Sequence, residues 1–207
     1  MISNKKPMRL AVFASGNGSN FQAIYDYMQS HEVNGCISLV LSNCRDAYVL
    51  QRAKKAGIET CVLSVDDFEH RQAYDQKIAA IMEQKNIDLI VLAGYMLLLT
   101  PWFTNRFKER VINIHPSLLP SFKGTQGIKD AYDYGVKITG VTVHFVDSKL
   151  DHGPIILQKE VPIKASYSLE DLEEKIHAAE HRLYPKAVHY FCSRRLVVKG
   201  RKVMIRE

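Results

Sequence analysis

The first half of the chain alternates short apolar runs with longer amphipathic stretches. The apolar runs have the length of buried strands, and the stretches between them repeat apolar residues at helical spacing. Strands are predicted over 8–14, 36–43, 59–64 and 87–94, and helices over 19–30, 46–57 and 66–86. The last helix is expected to carry acidic residues in its first turn. This alternation predicts an α/β fold with a Rossmann-like, doubly wound, mostly parallel sheet.

The second half of the chain has a different pattern. A strand over 110–115 is followed by a long stretch with little periodicity. Two further runs, 139–146 and 154–163, are typical of antiparallel strands, with Asp151-His152-Gly153 in the turn between them. The sheet is therefore expected to become antiparallel in its C-terminal part.

The C-terminal segment predicts one long helix and a hairpin. The helix covers 168–194, with Ser168 as its N-cap and Pro185 as the place of a kink. The hairpin covers 195–205. Because no repeat or linker interrupts the chain, residues 1–207 are predicted to form a single domain.

Composition is that of an ordinary globular protein. The chain has 207 residues, of which 46% are hydrophobic and 24% are charged. The formal net charge of +6 is scattered, and it fits an anionic small substrate as well as it fits nucleic acid. Basic residues become denser near the C-terminus, where we interpret them as a solvated edge.

The cysteine pattern and the N-terminus indicate a reducing compartment. None of the four cysteines forms a C-x-x-C pair, so neither a zinc site nor a disulfide framework is indicated. Cys36 and Cys61 lie in apolar runs and are expected to behave as small hydrophobic residues. No long apolar segment precedes the first strand, so we expect no signal peptide, no membrane span and a cytoplasmic location.

The stretch VFASGNGSNFQAI, residues 12–24, joins the first strand to the first helix. It begins like a dinucleotide-binding loop, but Phe21 occupies the third glycine position and Ser42-Asn43 offers no acid for a ribose. No P-loop lysine follows either. The loop suits a single phosphomonoester, held by backbone N–H groups at a helix N-terminus. The alternative is a tight turn that merely caps the helix.

Three polar residues in the second half suit acyl transfer. Asn113 and His115 alternate with apolar residues, so their side chains lie on one face at a strand end. An amide can stabilise an oxyanion and an imidazole can move a proton. The carboxylate of Asp151 could keep that imidazole charged. No nucleophile elbow occurs, so direct attack by a substrate amine fits better than a covalent intermediate. A lone strand histidine is, however, more often structural.

At these residues the chain resembles the glycinamide ribonucleotide formyltransferases of purine biosynthesis. The resemblance rests on VFASGNGSNFQAI, VINIHPSLLPSFKG, TGVTVHF and VDSKLDHGPIILQ. HPSLLP with the D-x-G-P-I turn is typical of the folate-dependent formyltransferase superfamily. SGNGSN narrows the resemblance to the glycinamide ribonucleotide formyltransferases within it. The resemblance implies formyl transfer from 10-formyltetrahydrofolate, as co-substrate, to the amine of glycinamide ribonucleotide. It implies small-molecule partners only, with no metal, nucleic acid or membrane, and leaves the oligomeric state open.

The resemblance also assigns residues. The implied catalytic set is Asn113, His115 and Asp151. The implied ribonucleotide site is Gly18, Ser19 and Asn20 for the phosphate and Glu180 for the ribose. The implied folate site is Arg71 near the glutamate tail, the wall Met96, Leu97, Leu98 and Leu99, the residue Asn113, and the covering segment Asp147, Ser148, Lys149, Leu150 and Asp151. The N-terminal half would thus bind phosphate, and the C-terminal half would bind folate and catalyse.

Further details of the resemblance concern single positions. Thr142 stands where relatives often carry serine, and Leu119–Pro120 resembles a cis peptide of the family. Composition alone would make residues 96–99 core and Arg71 a surface ion pair. We interpret His144 as a satisfied polar residue on a sheet face.

Other interpretations stay open from the sequence alone. His177-Ala178-Ala179-Glu180-His181 matches the H-x-x-E-H zinc motif, although Glu207 is the only acidic residue that follows it. A methionyl-tRNA formyltransferase normally has a further C-terminal domain, and a formyltetrahydrofolate hydrolase a further N-terminal one; neither is expected here. A non-enzymatic phosphosugar-binding module would not need the implied catalytic residues.

Overall fold

A nine-stranded sheet runs through the computed structural model of the chain, which describes residues 6–207. The strands are β1 Met8–Phe13, β2 Gly35–Ser42, β3 Thr60–Val62, β4 Leu89–Leu92, β5 Val111–His115, β6 Ile138–Phe145, β7 Ile155–Pro162, β8 Leu196–Lys199 and β9 Lys202–Ile205. The predicted lack of a leader concerns in part residues 1–5, which lie outside the described residues.

The strand order is β3-β2-β1-β4-β5-β6-β7-β9-β8. The first five strands pair in parallel, whereas β6 is antiparallel to both β5 and β7. The predicted fold class, a mostly parallel α/β sheet with an antiparallel C-terminal part, is confirmed. The order reverses at β1, whose neighbours are β2 and β4. In open α/β sheets, ligands bind at the carboxyl ends of the strands at such a reversal.

Helices cover both faces of the sheet. They are α1 Ser19–Ser30, α2 Tyr48–Lys55, α3 Arg71–Gln84, α4 Pro101–Arg106, α5 Gly127–Tyr134 and α6 Leu169–Cys192. Because side chains alternate along a strand, Leu10 and Val12 of β1 pack with α1, α2 and α6, whereas Ala11 and Phe13 pack with α3 and α4. Two apolar cores therefore lie on opposite faces of one sheet. Among residues 6–207, no helix combines the length and the apolar composition that a membrane crossing requires.

The predicted helix over 66–86 is shorter in the structure. Val65–Asp67 forms a 3₁₀ turn, in which Ser64 accepts the Asp66 N–H. The helix α3 begins only after His70, whose imidazole accepts the Ala73 N–H at 3.0 Å. The acidic residues expected in its first turn therefore belong to the preceding turn, because the chain becomes extended at Phe68 and ends the first helical segment there.

Two helices and a cysteine differ from the predictions. The helices α4 and α5 were not predicted, because six and eight residues give too little periodicity to detect. The long C-terminal helix agrees with the prediction, since α6 runs through Pro185 to Cys192. Cys36 is exposed rather than a core residue, since β2 is only half covered at its start.

Tyr184 of α6 connects this helix to the centre of the sheet through its hydroxyl group. Its side chain is fully buried, and its hydroxyl lies 2.9 Å from the Leu92 carbonyl and 3.1 Å from the Ile112 carbonyl. These carbonyls belong to β4 and β5. Burial raises the pKa of the phenol well above its ordinary value, so the hydroxyl remains a donor. One side chain thus joins α6 to the two strands that lead to the predicted site.

Replacing Tyr184 by phenylalanine should destabilise the fold by about 1 kcal/mol, the usual net worth of one hydrogen bond. For a chain of this size, the melting temperature should fall by roughly 2–4 °C, as measured by thermal unfolding. Tyr190→Phe is the matched control, because it removes a half-buried hydroxyl from the same helix. Equal stability of the Tyr184→Phe variant and the unaltered protein would contradict this account.

Candidate active site

The three residues predicted to be catalytic meet at one end of the sheet. Asn113 and His115 project from β5, and the register of the antiparallel pair places His144 of β6 directly opposite Asn113. Asp151 lies in the turn between β6 and β7. Its Oδ2 is 3.5 Å from His115 Nδ1, and its Oδ1 is 3.7 Å from His144 Nε2. A cluster of one amide, two imidazoles and one carboxylate results.

His144 is the member of this cluster that sequence reasoning missed. Its Nδ1 is 2.8 Å from the Phe145 carbonyl, and its Nε2 is 3.4 Å from the Asn113 amide nitrogen. A carbonyl accepts hydrogen bonds, so Nδ1 carries the hydrogen. The imidazole is therefore oriented with Nε2 between Asn113 and Asp151. The alternation in VTVHF gave a signal, but its meaning depends on the register between β5 and β6.

The backbone at Asp151 is strained. Its φ is 46°, in the left-handed region that non-glycine residues rarely adopt. The Gly124 N–H donates to the carboxylate at 2.9 Å. Gly153 passes so close to the Phe145 carbonyl that a Cβ would lie 1.8 Å from its oxygen. The turn is thus held tightly on both sides of the carboxylate, as strained residues at functional sites require.

Burial shifts the pKa values of Asp151 and His115. Burial alone would raise the pKa of Asp151, but the nearby His144, the Gly124 N–H that donates to it and the nearby His115 lower it. Burial lowers the pKa of His115, although Asp151 and the Phe122 carbonyl oppose this. In the free protein Asp151 is therefore ionised and His115 is neutral at pH 7. The expectation that Asp151 keeps His115 charged is wrong for this state, because desolvation outweighs the carboxylate.

The segment after β5 encloses His115. The imidazole Nε2 lies 2.7 Å from the Phe122 carbonyl. The Leu119–Pro120 peptide is cis. Thr142 holds this segment, since its hydroxyl accepts the Leu119 N–H at 3.0 Å and donates to the Ser117 carbonyl at 2.7 Å. A hydroxyl is all that these two contacts require of position 142.

The predicted phosphate loop lies between β1 and α1. Gly18 precedes the helix with φ 76°, and a Cβ there would lie 2.5 Å from a methyl group of Val49. The helix α2 supports the loop from behind: the Val49 N–H donates to the Gly16 carbonyl at 3.0 Å, and the Arg52 guanidinium binds the Asn17 carbonyl at 2.9 Å. Among the described residues, no side chain caps α1. Its first N–H groups are thus available to an anion.

Glu180 of α6 lies against this loop. Its carboxylate accepts a hydrogen bond from the Asn20 amide at 3.1 Å. It is buried, and burial raises its pKa against the effect of Asn20. Within residues 6–207, no group of three or more His, Cys, Asp and Glu side chains is placed to hold a metal ion. The H-x-x-E-H motif on α6 therefore does not assemble the third ligand that a zinc site needs.

Both segments that the resemblance assigns to folate expose apolar side chains. Met96 and Leu98 are 69% and 68% exposed, and Leu150 is 51% exposed. Leu97 and Leu99 instead pack against the core on the α3 face. The simple core interpretation is thus wrong for Met96 and Leu98, since core residues are not exposed to this extent.

An ion pair on α3 holds the 96–100 segment. The Arg71 guanidinium donates to the Leu98 carbonyl at 3.1 Å and lies 3.4 Å from the Asp75 carboxylate. Asp75 is fully buried and accepts the Thr100 N–H at 2.7 Å. Ser15 connects this segment to the phosphate loop, because its hydroxyl accepts the Met96 N–H at 2.9 Å. The two predicted binding regions are therefore physically linked.

Comparison with known proteins identifies close relatives. The chain is 40% identical to "Phosphoribosylglycinamide formyltransferase" of Escherichia coli over 189 residues, which are 91% of this chain and 89% of that protein. It superposes with a TM-score of 0.96 on the crystal structure of glycinamide ribonucleotide transformylase 1 from Symbiobacterium toebii, at 40% identity, covering 100% of this chain and 98% of that one.

A more distant structural relative has another name. The crystal structure of a formyltetrahydrofolate deformylase from Pseudomonas syringae matches with a TM-score of 0.90 and 26% identity, covering 97% of this chain and 66% of that one. The family model described as "Formyl transferase" matches residues 8–188. The predicted resemblance is confirmed, and the chain belongs to the formyl transferase family.

Proposed function

We propose that this chain transfers the formyl group of 10-formyltetrahydrofolate to the amine of glycinamide ribonucleotide, in the synthesis of purines. The products are N-formylglycinamide ribonucleotide and tetrahydrofolate. One observation carries the proposal: the buried cluster around Asp151 lies at the strand end that also carries the anion-binding loop. The names and the 40% identity of the relatives support the same reaction.

The N-terminal half supplies the ribonucleotide site. The phosphate binds to the backbone N–H groups of Gly18, Ser19 and Asn20, because a helix begins there without a side-chain cap. Glu180 accepts a hydrogen bond from a ribose hydroxyl, and its contact with Asn20 keeps it beside the phosphate. The substrate amine then extends towards the carboxyl ends of the strands.

The C-terminal half and the 96–99 segment supply the folate site. The pterin lies against Met96–Leu99 and is covered by residues 147–151, whose exposed apolar side chains it buries. Asn113 lies at the meeting point of pterin and ribonucleotide. The half-buried Arg71 is the cation for the glutamate tail, and its bond to the Leu98 carbonyl ties that contact to the wall.

The reaction places charge on two atoms. When the amine attacks the formyl carbon, the new C–N bond leaves a negative oxygen and a positive nitrogen. The Asn113 amide has two N–H groups, one facing His144 and one for the oxygen. His115, neutral in the free protein, takes the proton from the nitrogen and returns it to the folate nitrogen as that C–N bond breaks. Asp151 stabilises the imidazolium formed in between.

Two alternative functions predict different results in one activity assay. A deformylase would pass the formyl group to water, and a binding module would not turn over. With both substrates present, tetrahydrofolate and formylated ribonucleotide should appear in equal amounts, as followed by absorbance and mass spectrometry. Tetrahydrofolate release at the same rate without the ribonucleotide would show the hydrolase. Binding of the ribonucleotide without any turnover would show the module.

Gly18→Ala should raise the KM for the ribonucleotide by about five- to thirtyfold, because the free loop relaxes from the left-handed backbone, which costs alanine roughly 1–2 kcal/mol, and phosphate binding must restore it. The added methyl group would also collide with Val49. The KM for the folate should not change, since its site lies on other segments. Steady-state kinetics with each substrate varied in turn measures both constants.

Gly57→Ala is the matched control for this variant. Gly57 has a φ of 68°, and no atom lies within 4 Å of an added Cβ. The Gly57→Ala substitution introduces the same backbone strain away from the phosphate loop, so it should lower stability without changing either KM. A rise in the folate KM of Gly18→Ala, with the ribonucleotide KM unaltered, would refute the assignment of the loop.

Asp151→Asn should lower kcat by roughly a hundredfold to a thousandfold, the usual effect of losing one preorganised group, while both substrates still bind. The change keeps the shape and removes the charge. Since the carboxylate raises the pKa of His115 against burial, its loss should also move the acid limb of kcat/KM to lower pH. A kcat near that of the unaltered protein across neutral pH would remove Asp151 from the catalytic set.

A further inference from the structure

The turn that carries Asp151 contacts a part of the chain to which no role has been assigned. The hairpin of β8 and β9 joins the sheet through one pair, Lys202 beside Ile155 of β7. Arg201 lies in the turn of this hairpin and is directed at the segment before β7. From the sequence, this basic run was interpreted as a solvated edge. Arg201 is exposed, as that interpretation expects, but its guanidinium also bonds to His152.

The contacts of Arg201 form a chain across the 147–152 segment. Its Nη2 donates to the His152 carbonyl at 2.7 Å, and its Nη1 lies 3.2 Å from Nε2 of the same residue. The other ring nitrogen, Nδ1, is 2.8 Å from the Asp147 carboxylate. Since a carboxylate only accepts, Nδ1–H donates to Asp147. The Arg201 Nη1 lies nearly equally far from both ring nitrogens, 3.4 Å from Nδ1 and 3.2 Å from Nε2. The carboxylate also accepts the Lys149 N–H at 2.9 Å.

Asp147 is suited to end this chain as an anion. Burial alone would raise its pKa, but the hydrogen bonds from His152 and the Lys149 N–H, with the charge of Arg201, lower it. A cation, an imidazole and a carboxylate thus lie in sequence on one side of the segment. They connect the C-terminal hairpin to both ends of residues 147–152.

The strain at Asp151 explains why such a connection matters. A left-handed backbone persists in a non-glycine residue only when the surrounding structure holds it. Gly153 fixes the far side of the turn through its close approach to the Phe145 carbonyl. Between these two residues lies the His152 carbonyl, the group that Arg201 binds. The arginine therefore fixes the His152–Gly153 peptide, which lies one peptide beyond the strained residue.

We propose that Arg201 is a positioning residue, which holds the Asp147–Asp151 segment, and with it the Asp151 carboxylate, in the geometry that the reaction requires. The proposal rests on the function proposed above. It gives the C-terminal hairpin a role in catalysis without contact with either substrate. It also implies that the folate side of the site depends on this hairpin, whereas the ribonucleotide side does not.

Arg201→Ala should lower kcat and raise the KM for the folate, so that kcat/KM for the folate falls by roughly three- to tenfold, as expected for one modest hydrogen-bonding interaction. The KM for the ribonucleotide should stay the same. Arg201→Lys should restore part of the loss, because an ammonium can bind the carbonyl but lacks the fork that also reaches the ring. Lys199→Ala is the matched control: it removes one exposed positive charge from the same hairpin.

Amide hydrogen exchange of the substrate-free variants gives a readout that does not require turnover. Peptides covering 147–155 should exchange faster in Arg201→Ala than in Lys199→Ala or the unaltered protein. If Arg201→Ala also increases exchange in residues 196–205, Arg201→Lys decides whether the loss comes from the contact or from the loosened hairpin. This variant keeps the charge and must still show the unrestored part of the loss in kcat/KM for the folate. If the unaltered protein transfers no formyl group, the proposed function fails, while the exchange result still tests the contact.

Three results would overturn the proposal. The first is unchanged folate kinetics in Arg201→Ala. The second is an equal loss in Lys199→Ala, which would make the effect one of general charge. The third is a rise in both KM values together with a lower melting temperature, which would make the role merely structural.

Discussion

The arrangement of the site depends on the need to solvate one buried carboxylate. A charge removed from water is stable only when it is paired and hydrogen-bonded. Asp151 accepts the Gly124 N–H at 2.9 Å, and the rings of His115 and His144 lie 3.5 and 3.7 Å from its two oxygens. These partners belong to the loop after β5, to β5 itself and to β6. The contacts of one carboxylate thus fix the relative positions of three segments. The left-handed backbone at Asp151 shows that the carboxylate is held there against the backbone preference of a non-glycine residue.

The hydrophobic pattern of the sequence predicted the strands of the parallel half of the sheet. The strands β1 to β4 are apolar runs of strand length, so their existence and parallel arrangement followed from the sequence. Alternation placed Asn113 and His115 on one face, and the glycine loop marked the start of α1. The short helix α4 was missed because its signals are local, with Pro101 at its start and a Thr100 cap, and six residues show no period.

What the sequence could not predict depends on register and on burial. His144 joins the cluster only because β6 pairs with β5 so that it faces Asn113. No local pattern specifies that pairing. The direction of the His115 pKa shift was predicted wrongly for a related reason. The neighbouring carboxylate, which raises this pKa, can be inferred from a motif. The burial that lowers it depends on the whole fold. The contact of the exposed Arg201 with His152 was not predicted, because the two residues lie 49 positions apart in the sequence.

The opposite consequences of burial for Asp151 and His115 suit the proposed reaction. An ionised carboxylate beside a neutral imidazole gives the pair a net charge of −1 before substrates bind. The intermediate of amine attack is a zwitterion with adjacent positive and negative centres. In the proposed reaction the negative pair would stabilise the ammonium, and the neutral Asn113 amide would stabilise the oxyanion without adding charge. A site with His115 already protonated would repel that ammonium and could not accept its proton. On the proposed function, desolvation of His115 is therefore part of how the fold prepares the site for an amine.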